Sequence, residues 1–199
     1  TLLFEGLSTL NPDGSVDPAL AASWSVSVDA TVYTCTLRSD ARWHDGQVVT
    51  TADVLFTLDL VRSPEIPDPN QLKELWSRVQ VTALDDRQLR FVLERPYAPF
   101  LSYTTLPILP AHVLQGTAPA DLESSPFNLQ PVGTGPFRFV QIQEDEDGGL
   151  LLRLEANPYY GDPPYLEGIH IRFYREKGAL VEALIQDEVD GAFAMFDDE

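Results

Sequence analysis

The chain has 199 residues and 44% hydrophobic content, enough to bury one core or two small ones, and it holds no unbroken apolar run of the roughly twenty residues that a transmembrane helix needs. Thirteen basic residues against thirty-one acidic ones leave a formal charge of −18, which repels phosphate backbones and anionic lipid and argues against a nucleic-acid partner. The plain meaning of such acidity is a solvated surface; attraction of cationic ligands is the lesser alternative.

In chain order, Thr1 to Leu10 is a short apolar segment, strand or short helix, leading into the turn Asn11-Pro12-Asp13-Gly14. An abrupt start at Thr1-Leu2-Leu3 suggests a mature or trimmed chain. Pro18 to Trp24 reads as a helical turn with Trp24 packed inward. Trp24, Val26 and Val28 alternate, as do Tyr33, Cys35 and Leu37, with Asp29-Ala30 between them, which predicts a hairpin with one buried face. Cys35, the only cysteine, allows no intrachain disulfide and falls on that apolar face as a small hydrophobe.

Ala41 to Pro64 is the most legible stretch. Asp45-Gly46 is a turn pair, Thr50 and Asp53 can form a capping box with Asp in the usual Glu place, and Val49 and Val54 stand where a hydrophobic staple would. Leu55, Leu58 and Val61 follow at helical spacing and Ser63-Pro64 stops the run, so a helix spans Thr51 to about Arg62. Pro64 to Asn70 is a proline-rich loop, and Leu72 to Arg78 one helical turn. Val79–Ala83 and Leu89–Leu93 alternate around Asp85-Asp86 as a second hairpin. Short helices open near Pro96–Leu101 and Leu109–Leu114, and 115–130 reads as polar loop. Strands over Phe137–Ile142 and Leu150–Glu155 flank an acidic turn, Glu144 to Gly149, as a third hairpin. Ile169–Tyr174 is a strand, Ala179–Gln186 an amphipathic helix, and Ala192–Phe196 a last strand. Hairpins feeding a shared sheet system, closed by a strand-helix-strand unit, place the chain in the α+β class.

Chemistry finds few agents. His44, His112 and His170 lie far apart, with no His, Glu or Cys at helical ligand spacing, so structural roles are favoured over metal or acid–base work. The acidic run Glu144–Gly149 lacks the bidentate acid and flanking helices of an EF-hand and reads as a solvated turn. Gly133-Thr134-Gly135-Pro136 precedes a strand, where a phosphate loop would follow one and open a helix; its glycines suit a sharp turn and a close approach of backbones. No G-x-S-x-G elbow is present, and a carboxylate pair such as Glu5 with Asp45 is the only hydrolase reading left.

Seven ordered stretches resemble the bacterial extracellular solute-binding proteins of family 5, the peptide, oligopeptide and nickel receptors of ABC importers. They are Phe4-Glu5-Gly6-Leu7, Pro18-Ala19-Leu20-Ala21 with Ser23-Trp24, Tyr33-Thr34 to Leu37-Arg38, Trp43-His44-Asp45-Gly46 with the helix after it, Arg95-Pro96-Tyr97-Ala98-Pro99-Phe100-Leu101, Pro131-Val132-Gly133-Thr134-Gly135-Pro136-Phe137 and Asn157-Pro158-Tyr159-Tyr160-Gly161. Asp187 departs from the family's G-E-V-D turn, where Gly is usual, although Asp tolerates the left-handed conformation.

The resemblance implies a periplasmic-binding-protein-like fold of type II (cluster C). The chain would be its N-terminal lobe only, with residues 1–10 and 131–199 in core lobe I, residues 11–130 as an inserted small subdomain, and the second lobe absent. It implies a binding protein and no enzyme, with no cofactor and no metal. The ligand would be a peptide or other small solute, nickel and sugars remaining open, and the partner an ABC permease. The location would be periplasmic or extracellular, membrane-anchored as a lipoprotein in the full-length protein. Ligand contacts would come from Glu5, Gly6 and Leu7 at the cleft edge, with Met195 and Phe196 near the crossing to the second lobe; for Glu5 a purely structural carboxylate is the alternative. An incomplete lobe would expose an apolar face and self-associate. The rival from another class is the hydrolase with a carboxylate pair such as Glu5 and Asp45, and a stand-alone interaction module is a third option.

Overall fold

A computed structural model describes residues 2–68, 71–144 and 149–193. Strand β1 (Ser8–Leu10) pairs antiparallel with β2 (Val16–Pro18) around the Asn11–Gly14 turn, where Gly14 takes the positive φ of 86° that the tight return requires. The segment expected to form a helical turn is instead extended and runs into β3 (Ala21–Val26). The reason is non-local: the N–H groups of Ala19 and Ala21 both donate to the Leu7 carbonyl at 3.0 Å and that of Leu20 to the Gly6 carbonyl at 3.2 Å, so the amino-terminal segment supplies the partners a helix would have supplied internally.

β3 pairs with β4 (Val32–Leu37), and β5 (Gln80–Ala83) pairs with β6 (Gln88–Val92), each antiparallel, giving a four-stranded sheet of order β3-β4-β6-β5. Helix α1 (Thr51–Arg62) forms over the expected span. The Asp53 carboxylate accepts the Thr50 N–H at 2.8 Å, which satisfies a first-turn donor and closes the capping box. Helices α2 (Leu72–Ser77), α3 (Phe100–Tyr103) and α4 (Ala111–Leu114) complete this body. Its core joins Trp43, Val54 and Leu58 to Cys35, Leu37, Leu89 and Phe91 from the sheet. Phe100 sits at its centre, with the rings of Tyr33, Phe91 and Trp76 at 4.7, 5.7 and 5.9 Å. Trp24 packs inward as expected, 5.6 Å from Phe91.

Residues 115–130 hold two 3-10 helices, Pro119–Ser124 and Pro126–Asn128, where only loop was expected. Proline stands at the start of both, a place where its missing N–H costs nothing. Beyond them β7 (Phe137–Glu144), β8 (Leu150–Ala156) and β9 (Gly168–Phe173) form a second sheet of order β7-β8-β9, followed by α5 (Lys177–Ile185). All three hairpins form, but only the first two share a sheet; the third stands in its own. Asp187 takes the left-handed conformation, φ 56°, that its turn demands. Of the expected last strand, Ala192 and Phe193 are not in strand conformation and Ala194 to Phe196 lie outside the described residues, as does most of the acidic turn, Asp145 to Gly148. The whole is a mixed fold of the α+β class.

Candidate functional site

Four of the sequence motifs meet at the loop Gly133-Thr134-Gly135-Pro136. The amino-terminal segment lies against it, with Gly135 N–H donating to the Leu3 carbonyl at 2.9 Å and Phe137 N–H to the Leu2 carbonyl at 3.1 Å. The approach is too close for any side chain. A Cβ on Gly133 would sit 1.8 Å from the Leu3 oxygen, and one on Gly135 would sit 2.5 Å from the Leu2 oxygen.

The Trp43-His44-Asp45-Gly46 turn docks on the same loop through His44. Its N–H donates to the Gly133 carbonyl at 2.8 Å, its Nδ1 accepts the Gly133 N–H at 3.0 Å, and its Nε2 faces the Gly135 carbonyl at 3.2 Å. Since Nδ1 must accept, the proton belongs on Nε2, which donates to Gly135. The ring is buried, and burial pushes its pKa below the usual histidine range, the Gly135 hydrogen bond working the other way. With both nitrogens committed to backbone, His44 has no lone pair left for a metal. The neighbouring Asp45 carboxylate pairs with His112 Nε2 at 2.8 Å. His170 lies opposite Arg153 in the second sheet, so the three histidines do not come together, and no group of three His, Cys, Asp or Glu suited to a metal occurs among the described residues.

The Asn157-Pro158-Tyr159-Tyr160-Gly161 turn arrives from a third direction. Asn157, itself buried, donates Nδ2 to the Gly135 carbonyl at 2.9 Å and its N–H to the Pro136 carbonyl at 2.8 Å. Its Oδ1 accepts the Tyr159 N–H at 3.0 Å, which shapes the turn. Gly46, at φ 87°, lies under the Tyr159 ring, where an added Cβ would stand 3.0 Å from the hydroxyl.

Glu5 sits at the edge of this junction. Its backbone is pinned on both sides, the N–H to Thr134 Oγ1 at 3.3 Å and the carbonyl to Ile108 N–H at 2.9 Å. Its carboxyl is half-buried, and burial pushes its pKa above the usual range while the Thr134 hydroxyl, the Arg38 guanidinium and the Tyr160 hydroxyl pull it back. Burial and the Glu5 charge in turn push the Tyr160 phenol up. Arg38 Nε donates to Asp40 Oδ1 at 3.2 Å, and the Arg38 guanidinium lies over Gly161, where a Cβ would stand 2.9 Å from its Nη2.

The other residues singled out from sequence have different surroundings. Gly6 is buried, with room for no side chain beside the Thr105 backbone, 2.6 Å from a built Cβ. The Leu7 side chain is in the core, 2% exposed. Met195 and Phe196 lie outside the described residues. Arg38 and Tyr160, the partners of Glu5, stand in motifs quoted above, but sequence reasoning does not pair them with it. An open groove of about 570 Å³ runs beside β7, lined by His44, Asp45, Leu129, Val132, Arg138 and Ile142, and another of about 320 Å³ lies between α2 and Tyr97; Glu5 lines neither.

Residues 15–198 match the family model described as "Bacterial extracellular solute-binding proteins, family 5 Middle". The chain belongs to this family. It is 31% identical to the di/tripeptide-binding protein 2 of Pseudomonas aeruginosa over 94% of its own length and 38% of that protein's, and 31% identical to the dipeptide-binding protein of Escherichia coli over 76% and 31%. Among solved structures it resembles NikZ from Campylobacter jejuni in complex with Ni(L-His), with a TM-score of 0.79, 29% identity, and coverage of 95% of this chain and 37% of that one. The oligopeptide-binding protein AppA from Bacillus subtilis, in complex with a nonapeptide, gives a TM-score of 0.79 at 25% identity over 94% and 37%. The family 5 chain described here therefore spans about a third of the length of these relatives, and its fold is part of a family 5 lobe.

Proposed function

We propose that this chain is the N-terminal portion of the substrate-binding component of an ABC importer, capturing peptides or similar solutes outside the cytoplasm for delivery to a permease. Residues 1–10 and 131–199 would form core lobe I and residues 11–130 its inserted subdomain. The observation that carries the reading is the junction at residues 133–136, where four motifs of a solute-binding family lock together with Glu5 left half-exposed at the rim. Such a rigid rim suits binding: its polar groups are already held, so little ordering remains when a solute arrives. Glu5 would be the side-chain contact, Gly6 and Leu7 its buried support, and Met195 and Phe196 part of the same edge. Capture would follow the closure of two lobes, driven by contacts available only in the closed state. Nickel–histidine ligands remain within the range of the relatives' solutes. A hydrolase built on Glu5 and Asp45 finds no support, since the two carboxylates have separate partners, Tyr160 and Arg38 for one and His112 for the other.

The test is calorimetry on the longest natural polypeptide carrying this chain, against dipeptides, tripeptides, a nonapeptide and nickel–histidine. Micromolar or tighter binding of one class, weakened at least tenfold by Glu5→Ala, is expected. No binding to any of them, or hydrolysis of the peptides, overturns the reading.

A further inference from the structure

The Glu5 carboxyl is surrounded by groups from three parts of the chain: Thr134 from the glycine loop, Arg38 at the end of β4, and Tyr160 from the Asn157–Gly161 turn. Only the first belongs to the segment that holds the Glu5 backbone. We propose that Tyr160 and Arg38 are positioning residues for Glu5, fixing the direction of its carboxylate so that one face remains open to the solute; this rests on the reading of Glu5 as a ligand contact.

Three observations carry it. First, the turn that presents Tyr160 is built by a buried side chain: Asn157 accepts the Tyr159 N–H at 3.0 Å, its carbonyl accepts the Tyr160 N–H at 3.2 Å, and its Nδ2 is tied to Gly135 at 2.9 Å. The phenol is thus held to the same loop that holds Glu5. Second, the Arg38 guanidinium lies against Gly161, where a Cβ would fall 2.9 Å from Nη2 and move that end of the side chain. Third, Arg38 is not left to swing: Asp40 accepts from Nε at 3.2 Å and the Ala19 carbonyl lies 3.5 Å from Nη1. A half-buried carboxylate with a hydroxyl donor on one side and a tethered cation nearby loses rotamer freedom before any ligand arrives, and the ordering cost is removed from the binding step. The charged groups facing this place are Arg38, Asp40 and Asp162, with Tyr160 as the titrating neighbour.

The experiment has a readout in the free protein and one in the complex. Carboxyl-carbon NMR of Glu5 is followed through a pH titration in the wild type, Tyr160→Phe and Gly161→Ala, with melting curves to confirm folding. Tyr160→Phe removes one donor to the ionised form, so the Glu5 midpoint is expected to rise; Gly161→Ala displaces the far end of Arg38, leaves the backbone nearly in place, and is expected to raise it too. Solute binding by the longer polypeptide is expected to fall at least threefold in Tyr160→Phe, and Tyr160→Phe is expected to cost nothing further once Glu5→Ala is present, a coupling that a merely structural tyrosine would not give. An unchanged Glu5 midpoint in both variants overturns the proposal. A shifted midpoint with unchanged binding keeps the positioning role and instead removes Glu5 from the ligand contacts.

Discussion

The two sheets of this molecule have unequal interiors. The β3-β4-β6-β5 sheet lies against helices and an aromatic cluster in which Trp43, Trp76, Phe91 and Phe100 are essentially without solvent contact. The β7-β8-β9 sheet and α5 contribute only Phe137, Leu154 and Ala183 to the buried apolar residues, and none of them is as fully enclosed. Yet the second sheet is not less apolar. Register puts Phe139, Leu154 and Ile169 in one row, Ile142, Leu152 and Ile171 in the next, and Leu150 beside Phe173 in a third, all on one face. Burial is thus set by what packs on a face, and not by the composition of the face. The junction at residues 133–136 joins the two regions, so the fold's stability resides on one side of it and the unspent apolar surface on the other.

The largest effects should come from the well-packed side. Phe91→Ala empties a site ringed by Trp24, Trp76 and Phe100 and should cost about 3–5 kcal/mol in urea denaturation. Leu152→Ala in the second sheet, where the side chain is only partly covered, should cost less than half as much. Equal costs would mean that the two interiors are equivalent after all. Gly133→Ala attacks the joint itself. Its Cβ would meet a backbone oxygen at 1.8 Å, which no rotamer change can relieve, so a loss of about 3 kcal/mol is expected in the same assay. A near-neutral Gly133→Ala would show that the amino-terminal segment can leave its place at little cost.

His44 sharpens the comparison through pH. Its folded pKa lies below the ordinary 6.5, because burial disfavours the charged ring. The neutral form is therefore the one the fold selects: the stabilisation is fully present above 6.5 and drains as pH falls through the depressed folded value, at no more than about 1.4 kcal/mol per pH unit. Glu5 has the opposite sign, since a carboxyl raised by burial favours the fold when protonated and loses that contribution as pH rises through its folded value. The two contributions oppose each other between pH 7 and pH 5, so the His44 part is read as a difference: the melting temperature of His44→Gln should fall less steeply, or rise more steeply, than that of the wild type as pH drops. A slope unchanged by that substitution would assign the acid sensitivity elsewhere.

What the sequence made legible follows the range of the interactions involved. Helix α1 was readable end to end because its signals are local: the Thr50–Asp53 box, the apolar spacing and Ser63-Pro64 all lie within the element. The hairpins were readable because alternation and turn residues sit together. The extended start of β3 carries the composition of a helical turn, and its true conformation is not legible locally because its backbone partners, the Gly6 and Leu7 carbonyls, belong to another segment. The same holds for the site. Motif residues such as Glu5, His44 and Gly133 could be named singly, but the meeting of Glu5 with Arg38 and Tyr160 depends on three chain segments that no spacing rule connects.

The smallest effect on stability, and the most direct probe of the second sheet, is expected from the exposed end of its apolar face. Ile142, Leu150 and Phe173 are each more than 40% exposed, so replacing Leu150 and Phe173 together by Ser removes little burial and should shift stability by no more than about 0.5 kcal/mol each. Association should respond instead. An apolar face of this kind favours contact between copies of the chain, opposed by the mutual repulsion of a net charge of −18. Salt screens the repulsion without weakening apolar contact, so sedimentation of the 199-residue chain should show association that rises with ionic strength and is lost in the Leu150→Ser, Phe173→Ser double variant. Monomeric behaviour of the unaltered chain at high salt and high concentration would show that the open row is too small, or too well flanked by charge, to act as a contact.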